Sequence, residues 1–187
     1  MRRSTWACGV GILLVVAGAC KARQPEVEYR PTATVKDIMD SLVDPSADTL
    51  WDSVETIISA AGIEEKAPHT DEEWLNLRRN AVRLVEATNL LLMPGRHVAR
   101  PGEKAEAPDV ELGPEDIEKR INADRAQWVT LAHGLHDEAL RALQAIDAKN
   151  VPNLFDAGDK LDGACERCHL KYWYPPDANH QGPSLRK

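Results

Sequence analysis

Apolar residues recur at three- and four-residue spacings in four stretches of this chain, and strand-like alternation is almost absent. The first stretch runs from about Thr32 to Ala61. Val35, Ile38, Met39, Leu42 and Val43 form one stripe, and Leu50, Trp51, Val54, Ile57, Ile58 and Ala61 continue it. Between them Asp44 stands before Pro45, the pattern of a cap followed by a proline at the first position of a renewed helix, so a kink or short break is expected there. A second helix is predicted from Thr70, which forms a capping-box pattern with Glu73, to the stop at Pro94-Gly95. Its stripe is Trp74, Leu77, Ala81, Leu84, Val85, Thr88, Leu91 and Leu92.

Residues 94–113 have no periodicity and read as a long surface connection crossing one end of the fold. The third helix opens at Pro114 with acids in its first turn, and its stripe passes through Ile117, Ile121, Trp128, Leu131, Leu135, Leu140, Leu143 and Ile146. One turn of that stripe is missing, where Asp124 and Arg125 stand. The fourth runs from about Val151 to Tyr172, with Leu154, Gly158, Leu161, Cys165, Cys168 and Tyr172 in phase, and Pro175-Pro176 ends it. Four amphipathic helices with one long crossover loop predict an all-α four-helix bundle over residues 32–175, followed by a polar tail at 176–187. No internal repeat and no glycine-rich phosphate loop is visible.

Composition narrows the class further. With 43% apolar and 28% charged residues the 187-residue chain is globular, with room for one ordinary domain. The formal net charge is −7 and the basic residues are dispersed, which excludes a clustered phosphate-binding face and hence nucleic acid as a partner. Residues 1–19 read as a signal peptide: Arg2 and Arg3 precede an apolar run from Val10 to Val16 that is short for a membrane span. The small residues leading into Cys20 resemble a bacterial lipobox, which implies lipidation of Cys20 and an anchor to the membrane. An ordinary secretory signal cleaved near Ala19 is the alternative, and both export the protein. Residues 20–31, polar with two prolines, are then a tether.

Cys8 would be lost with the signal and Cys20 would carry lipid, so Cys165 and Cys168 are left to serve each other or a cofactor. They belong to the stretch Cys165-Glu166-Arg167-Cys168-His169. On a helix this spacing places both sulfurs and the imidazole on one face, the inward one here. A closed zinc site needs four ligands, and no second Cys or His pair is spaced to supply them, although His133 and His136 could contribute. A redox dithiol belongs at a helix N-terminus after a strand, where the helix dipole lowers a thiol pKa, and this motif comes late in its helix. Covalent haem fits: two thioethers from Cys165 and Cys168, with His169 as proximal iron ligand. His69, His97 and His180 fall in loops or the tail and read as solvated, and the pair His133 and His136 reads as surface-facing.

A helical bundle carrying this motif on its last helix, close to the C-terminus, resembles the class II cytochromes c, the cytochrome c′ and c-556 group. The resemblance covers about Thr32 to Tyr172. It implies one haem c attached to the C-terminal helix and directs attention to Thr34–Leu42, where Met39 falls at the position that c-556-like members use for an axial methionine. Taken alone, Met39 lies on the core stripe, where methionine commonly fills gaps; Met93 is a weaker competitor. Val35 stands where the family often has an arginine near a haem propionate, and Trp173 where a basic residue is usual. Two functions remain open. With Met39 on the iron the protein is a one-electron carrier; with Met39 only lining the pocket, a five-coordinate haem would bind NO or CO. Either would act in the periplasm, with redox partner proteins in the first case and pairing into a homodimer compatible with both. No nucleophile–base constellation supports an enzyme.

Overall fold

The computed structural model describes residues 28–60 and 62–175, and the fold over them is mostly helical with one small sheet. The expected signal peptide, Cys8, Cys20, most of the tether, His180 and the polar tail lie outside the described residues. Among those described, no helix is long and apolar enough to cross a membrane.

The chain begins with α1 (Val35–Ile38), which passes without interruption into a π-turn (Met39–Val43) and α2 (Asp44–Trp51). Thr34 caps α1 in a capping box with Asp37. The break expected at Asp44-Pro45 is absent, because the backbone widens instead. The Asp44 N–H reaches back five residues to the Met39 carbonyl, and the extra residue in that turn makes room for the Pro45 ring, which an ordinary α-turn would drive into a carbonyl.

The helix stops at Trp51, so the stripe expected to continue to Ala61 does not. Strand β1 (Glu55–Ser59) pairs antiparallel with β2 (Gly62–Lys66), Ile57 opposite Glu64 and Ile58 opposite Ile63. Val54, Ile57 and Ile58 share a helical spacing by coincidence. The β-branched run Thr56-Ile57-Ile58 favours extended backbone, and Gly62, at φ 130°, takes a conformation other residues avoid.

Helix α3 (Asp71–Leu91) starts where its capping box predicts: Thr70 accepts from the Glu73 N–H, and the Glu73 carboxylate accepts from the Thr70 N–H at 2.8 Å. The region read as a single third helix is two. Asp124, at φ −136° and ψ 63°, separates α4 (Pro114–Ala123) from α5 (Arg125–Asp147) and caps the latter by accepting from the Gln127 N–H. Its neighbour Arg125 donates to the Leu92 carbonyl at the end of α3. The two residues that interrupt the apolar stripe are thus the ones that break the helix. Helix α6 (Val151–Tyr172) has the expected bounds.

Helix α5 packs along both α3 and α6, and α2 with the π-turn lies across α3 and touches α6. The shared core holds Ile38, Leu50, Leu77, Leu84, Trp128, Ala139, Leu154 and Leu161, all buried. The connection between α3 and α4 is not merely a surface loop. Its His97 and Val98 carbonyls accept from the Val35 and Lys36 N–H groups, satisfying donors that the first turn of α1 leaves free. Farther on, the Leu112 N–H donates to the Trp173 carbonyl, which ties the connection to the end of α6.

Candidate functional site

Cys165, Cys168 and His169 lie on the α6 face that meets α2 and α5. Two adjoining cavities, of about 320 and 310 Å³, open beside them and share Met39, Asp44 and His169 in their walls. Each lies within the size range of small-molecule pockets. The second is bounded by both cysteines, by Trp128, Leu131, Ala132 and Leu135 of α5, and by Val43, Ala47 and Trp51 of the π-turn and α2. The first lies under the α3–α4 connection, with Val98, Leu112 and Ile117 on its apolar side and Lys36, Lys104, Glu106 and Glu111 among its polar groups.

Several contacts hold these walls. The Trp51 indole N–H donates to the Gly158 carbonyl at 3.1 Å, and a Cβ on Gly158 would come within 3.3 Å of the same ring. Glycine there lets the indole lie directly on α6. Trp128 is fully buried, donates to the Leu91 carbonyl and meets Tyr172 edge-on at 5.3 Å between ring centroids. Trp173 and Tyr174 flank the His169 ring at 6.1 and 5.8 Å. The Tyr174 hydroxyl donates to Glu166, fixing that ring just past the end of the helix. On the connection's side, Lys36 is paired with Glu106 at 2.8 Å and lies 3.7 Å from Glu103, and Asp37 pairs with Arg100.

The electrostatics of the site follow from its enclosure. Both cysteines are free thiols, and burial pushes each up to about 12, aided at Cys165 by the Asp44 carboxylate, Cys168 and Asp162. Such thiols are protonated at neutral pH, the opposite of the lowered pKa that a redox dithiol needs. His169 is shifted down by burial, against an opposing pull from Glu166 and Glu111, so its imidazole is neutral and able to donate a lone pair. Asp44 is open to solvent on one side, yet the protein around it and the like charges of Asp40 and Asp48 raise its carboxyl to about 6.

The structure therefore brings Cys165, Cys168, His169 and Met39 to one pair of cavities. Met93 is not among the residues lining them, and its sulfur accepts from Arg96. His133 is exposed, whereas His136 turns inward and shares a 2.9 Å hydrogen bond with the buried Thr88 hydroxyl. The expected surface-facing pair is thus one surface histidine and one that helps seal the α3–α5 seam. His97 bonds Glu118, and His69 is exposed. Among the described residues no group of three or more His, Cys, Asp or Glu side chains is arranged to hold a metal ion, so His133 and His136 complete no zinc set with the cysteines. Sequence reasoning missed Asp44 as a wall residue, since it read as a helix cap, and missed the part of the connection that covers His169. No protein-family model matches the chain, and neither a curated protein nor a solved structure matches it.

Proposed function

We propose that the chain is a c-type cytochrome of class II layout, a four-helix bundle in which α1 to α2, α3, α5 and α6 are the four helical members. One haem c is attached through Cys165 and Cys168, and the protein transfers single electrons. The observation that carries the reading is the convergence of two adjacent protonated thiols, a neutral imidazole and a methionine on one pair of adjoining cavities. The donor set fits the group: two thiols for thioether bonds, His169 for the iron, and aromatic and aliphatic walls for a flat macrocycle.

Bound there, haem would supply a reversible one-electron couple. The chain's own residues do the rest. Cys165 and Cys168 would hold the group to α6, and His169 would supply a nitrogen ligand to its iron. Met39, which lines both cavities from the π-turn, would supply a sulfur ligand, and a Met/His pair would raise the potential of the couple. Trp128, Leu131 and Leu135 exclude water from one side, and the Val98–Leu112 part of the connection covers the other. Lys36 and Lys104 add cationic groups to the wall of the first cavity, Lys36 already paired with Glu106. The reading places the protein in the periplasm, held to the membrane through Cys20 and exchanging electrons with protein partners, with no catalytic chemistry of its own.

The test is the absorption spectrum of protein made in cells that attach c-type haem, oxidised and reduced, with Met39→Ala beside it. Sharp low-spin bands that turn high-spin in Met39→Ala are expected. Low-spin bands unchanged by the substitution would remove Met39 as ligand, and a high-spin spectrum in the unsubstituted protein that shifts with CO would turn the assignment to NO or CO binding. A folded, colourless protein would overturn the haem reading altogether.

A further inference from the structure

The β1–β2 hairpin stands apart from the helices. All ten of its strand residues are exposed, Ile58 at 78% and Ile63 at 72% of their full surface, side by side on one face. Two strands alone are marginally stable in water, and among the described residues no third strand pairs with either outer edge. Proteins guard such edges with charges, prolines or bulges. The outer edge of β2 is guarded, because Glu64, Glu65 and Lys66 fill three of its five positions. The outer edge of β1, Glu55-Thr56-Ile57-Ile58-Ser59, has one charge, at its first residue, and neither lysine nor proline.

Self-pairing separates the two edges further. If β2 met β2 of a second copy about its centre, Glu64 would face Glu64, a like-charge pair that opposes association. If β1 met β1 antiparallel about Ile57, Ile57 would face Ile57, Thr56 would face Ile58 and Glu55 would face Ser59. No like charges oppose in that register. Ser59 and Gly62 flank a two-residue turn, so the alternation of an antiparallel ladder directs the N–H and C=O groups of Thr56 and Ile58 to the free side. These are the residues that this register pairs, and each copy supplies what the other lacks.

From these features we infer that β1 is a homodimer interface, at which two copies of this chain join their hairpins into one four-stranded antiparallel sheet about a two-fold axis at Ile57. In this register the exposed Ile58–Ile63 pairs of both copies fall on one face, in neighbouring rows two residues apart with Thr56 of the other copy beside each Ile58. The pairing is isologous and consumes both β1 edges, so assembly stops at two chains, with the guarded β2 strands outermost. Copies anchored to one membrane would meet at raised effective concentration. The surface is separate from the cysteine-lined cavities and does not depend on what fills them.

The test uses the full-length chain as expressed. Facing residues about the axis are close enough for a disulfide. Ile57→Cys is therefore expected to give a covalent dimer on a non-reducing gel, and Glu64→Cys, on the other edge, to remain a single chain. Sedimentation in density-matched detergent should give a mass of two chains for the unsubstituted protein and one for Ile57→Glu, which sets like charges face to face. Equal cross-linking of the two cysteine variants, or a single-chain mass for the unsubstituted protein, would overturn the inference. Should Ile57→Glu fail to fold, the cross-linking pair decides.

Discussion

Helices α5 and α6 lie against each other along their length, and their two ends are built of different residues. Near the turn that joins them, α5 presents Ala139, Ala142 and Ala145, and α6 presents Leu154, Ala157 and Leu161, all buried. Small side chains let the two backbones approach, and the leucines fill what remains at the density of an organic crystal. At the far end α5 presents Trp128, Leu131 and Leu135 to a cavity, and α6 answers with Cys165, Cys168 and His169. One pair of helices thus closes on itself at one end and is held open at the other. A large void among apolar side chains forfeits packing energy. The open end is the one that carries the two thiols and the imidazole, which is the contrast that the proposed haem would explain.

The comparison can be broken most directly at the open end. Replacing Cys165 and Cys168 together by alanine should abolish covalently retained haem, read as heme-dependent peroxidase staining on a denaturing gel, while far-UV circular dichroism keeps its helical signal. Retained stain would mean that these thiols hold nothing. Next in size is a pair of truncations. Leu154→Ala, in the closed end, should cost about 2–5 kcal/mol, whereas Leu131→Ala, partly buried on the cavity wall, should cost about 1 kcal/mol in the haem-free chain. Urea unfolding of both measures the difference, and equal losses would erase the distinction between the ends.

Enlarging side chains probes the same contrast from the other direction. Ala139→Leu should destabilise by about 1–3 kcal/mol through overpacking. Ala132→Leu, which borders the cavity, should leave the haem-free chain nearly unchanged and lower haem incorporation. The smallest expected effect concerns Asp44. Its carboxyl is raised to about 6 in the folded state, above its value in the unfolded chain, so the native state binds more protons between about pH 4 and 6. Stability from this group is therefore greatest at low pH and is lost as pH rises through 6. Asp44→Asn should exceed the unsubstituted protein in stability at pH 7 by no more than about 1 kcal/mol after solvent screening, with the gap closing by pH 4. A gap that widens on acidification would refute the sign.

Much of the closed end was legible from spacing alone, because burial there enforces the period. The Thr70–Glu73 cap, the stripe from Trp74 to Leu91 and the bounds of α6 all reflect one face of a helix meeting a dry core. The inward placement of Cys165 and Cys168 could be read in the same way, since they share the phase of Leu154 and Leu161. The hairpin was not legible. Its isoleucines are exposed, so no burial ties their positions to a face, and a short apolar run fits a helix as well as a strand. The missing turn at Asp124 and Arg125 was noticed as a gap in the stripe, but a gap does not distinguish an interrupted face from a broken helix. The docking of residues 96–112 rests partly on main-chain bonds from His97, Val98 and Leu112, which leave no pattern in side-chain type, and partly on ion pairs such as Lys36–Glu106 that no spacing announces.

The π-turn has a consequence for how this chain could vary. Buried positions fall at Val35 and Ile38 before it and at Val43, Ala47 and Leu50 after it, so one step of the seam spans five residues. Deleting one residue between Met39 and Val43 would reduce that step to four, the spacing of an ordinary α-helix, and both halves would keep their buried face. The shorter chain would keep its seam, but Pro45 would then stand inside a regular α-turn, with its ring driven into a carbonyl that the widened turn now avoids. The extra residue is therefore tied to the proline, and a chain that lost one would keep its fold most easily by losing the other as well.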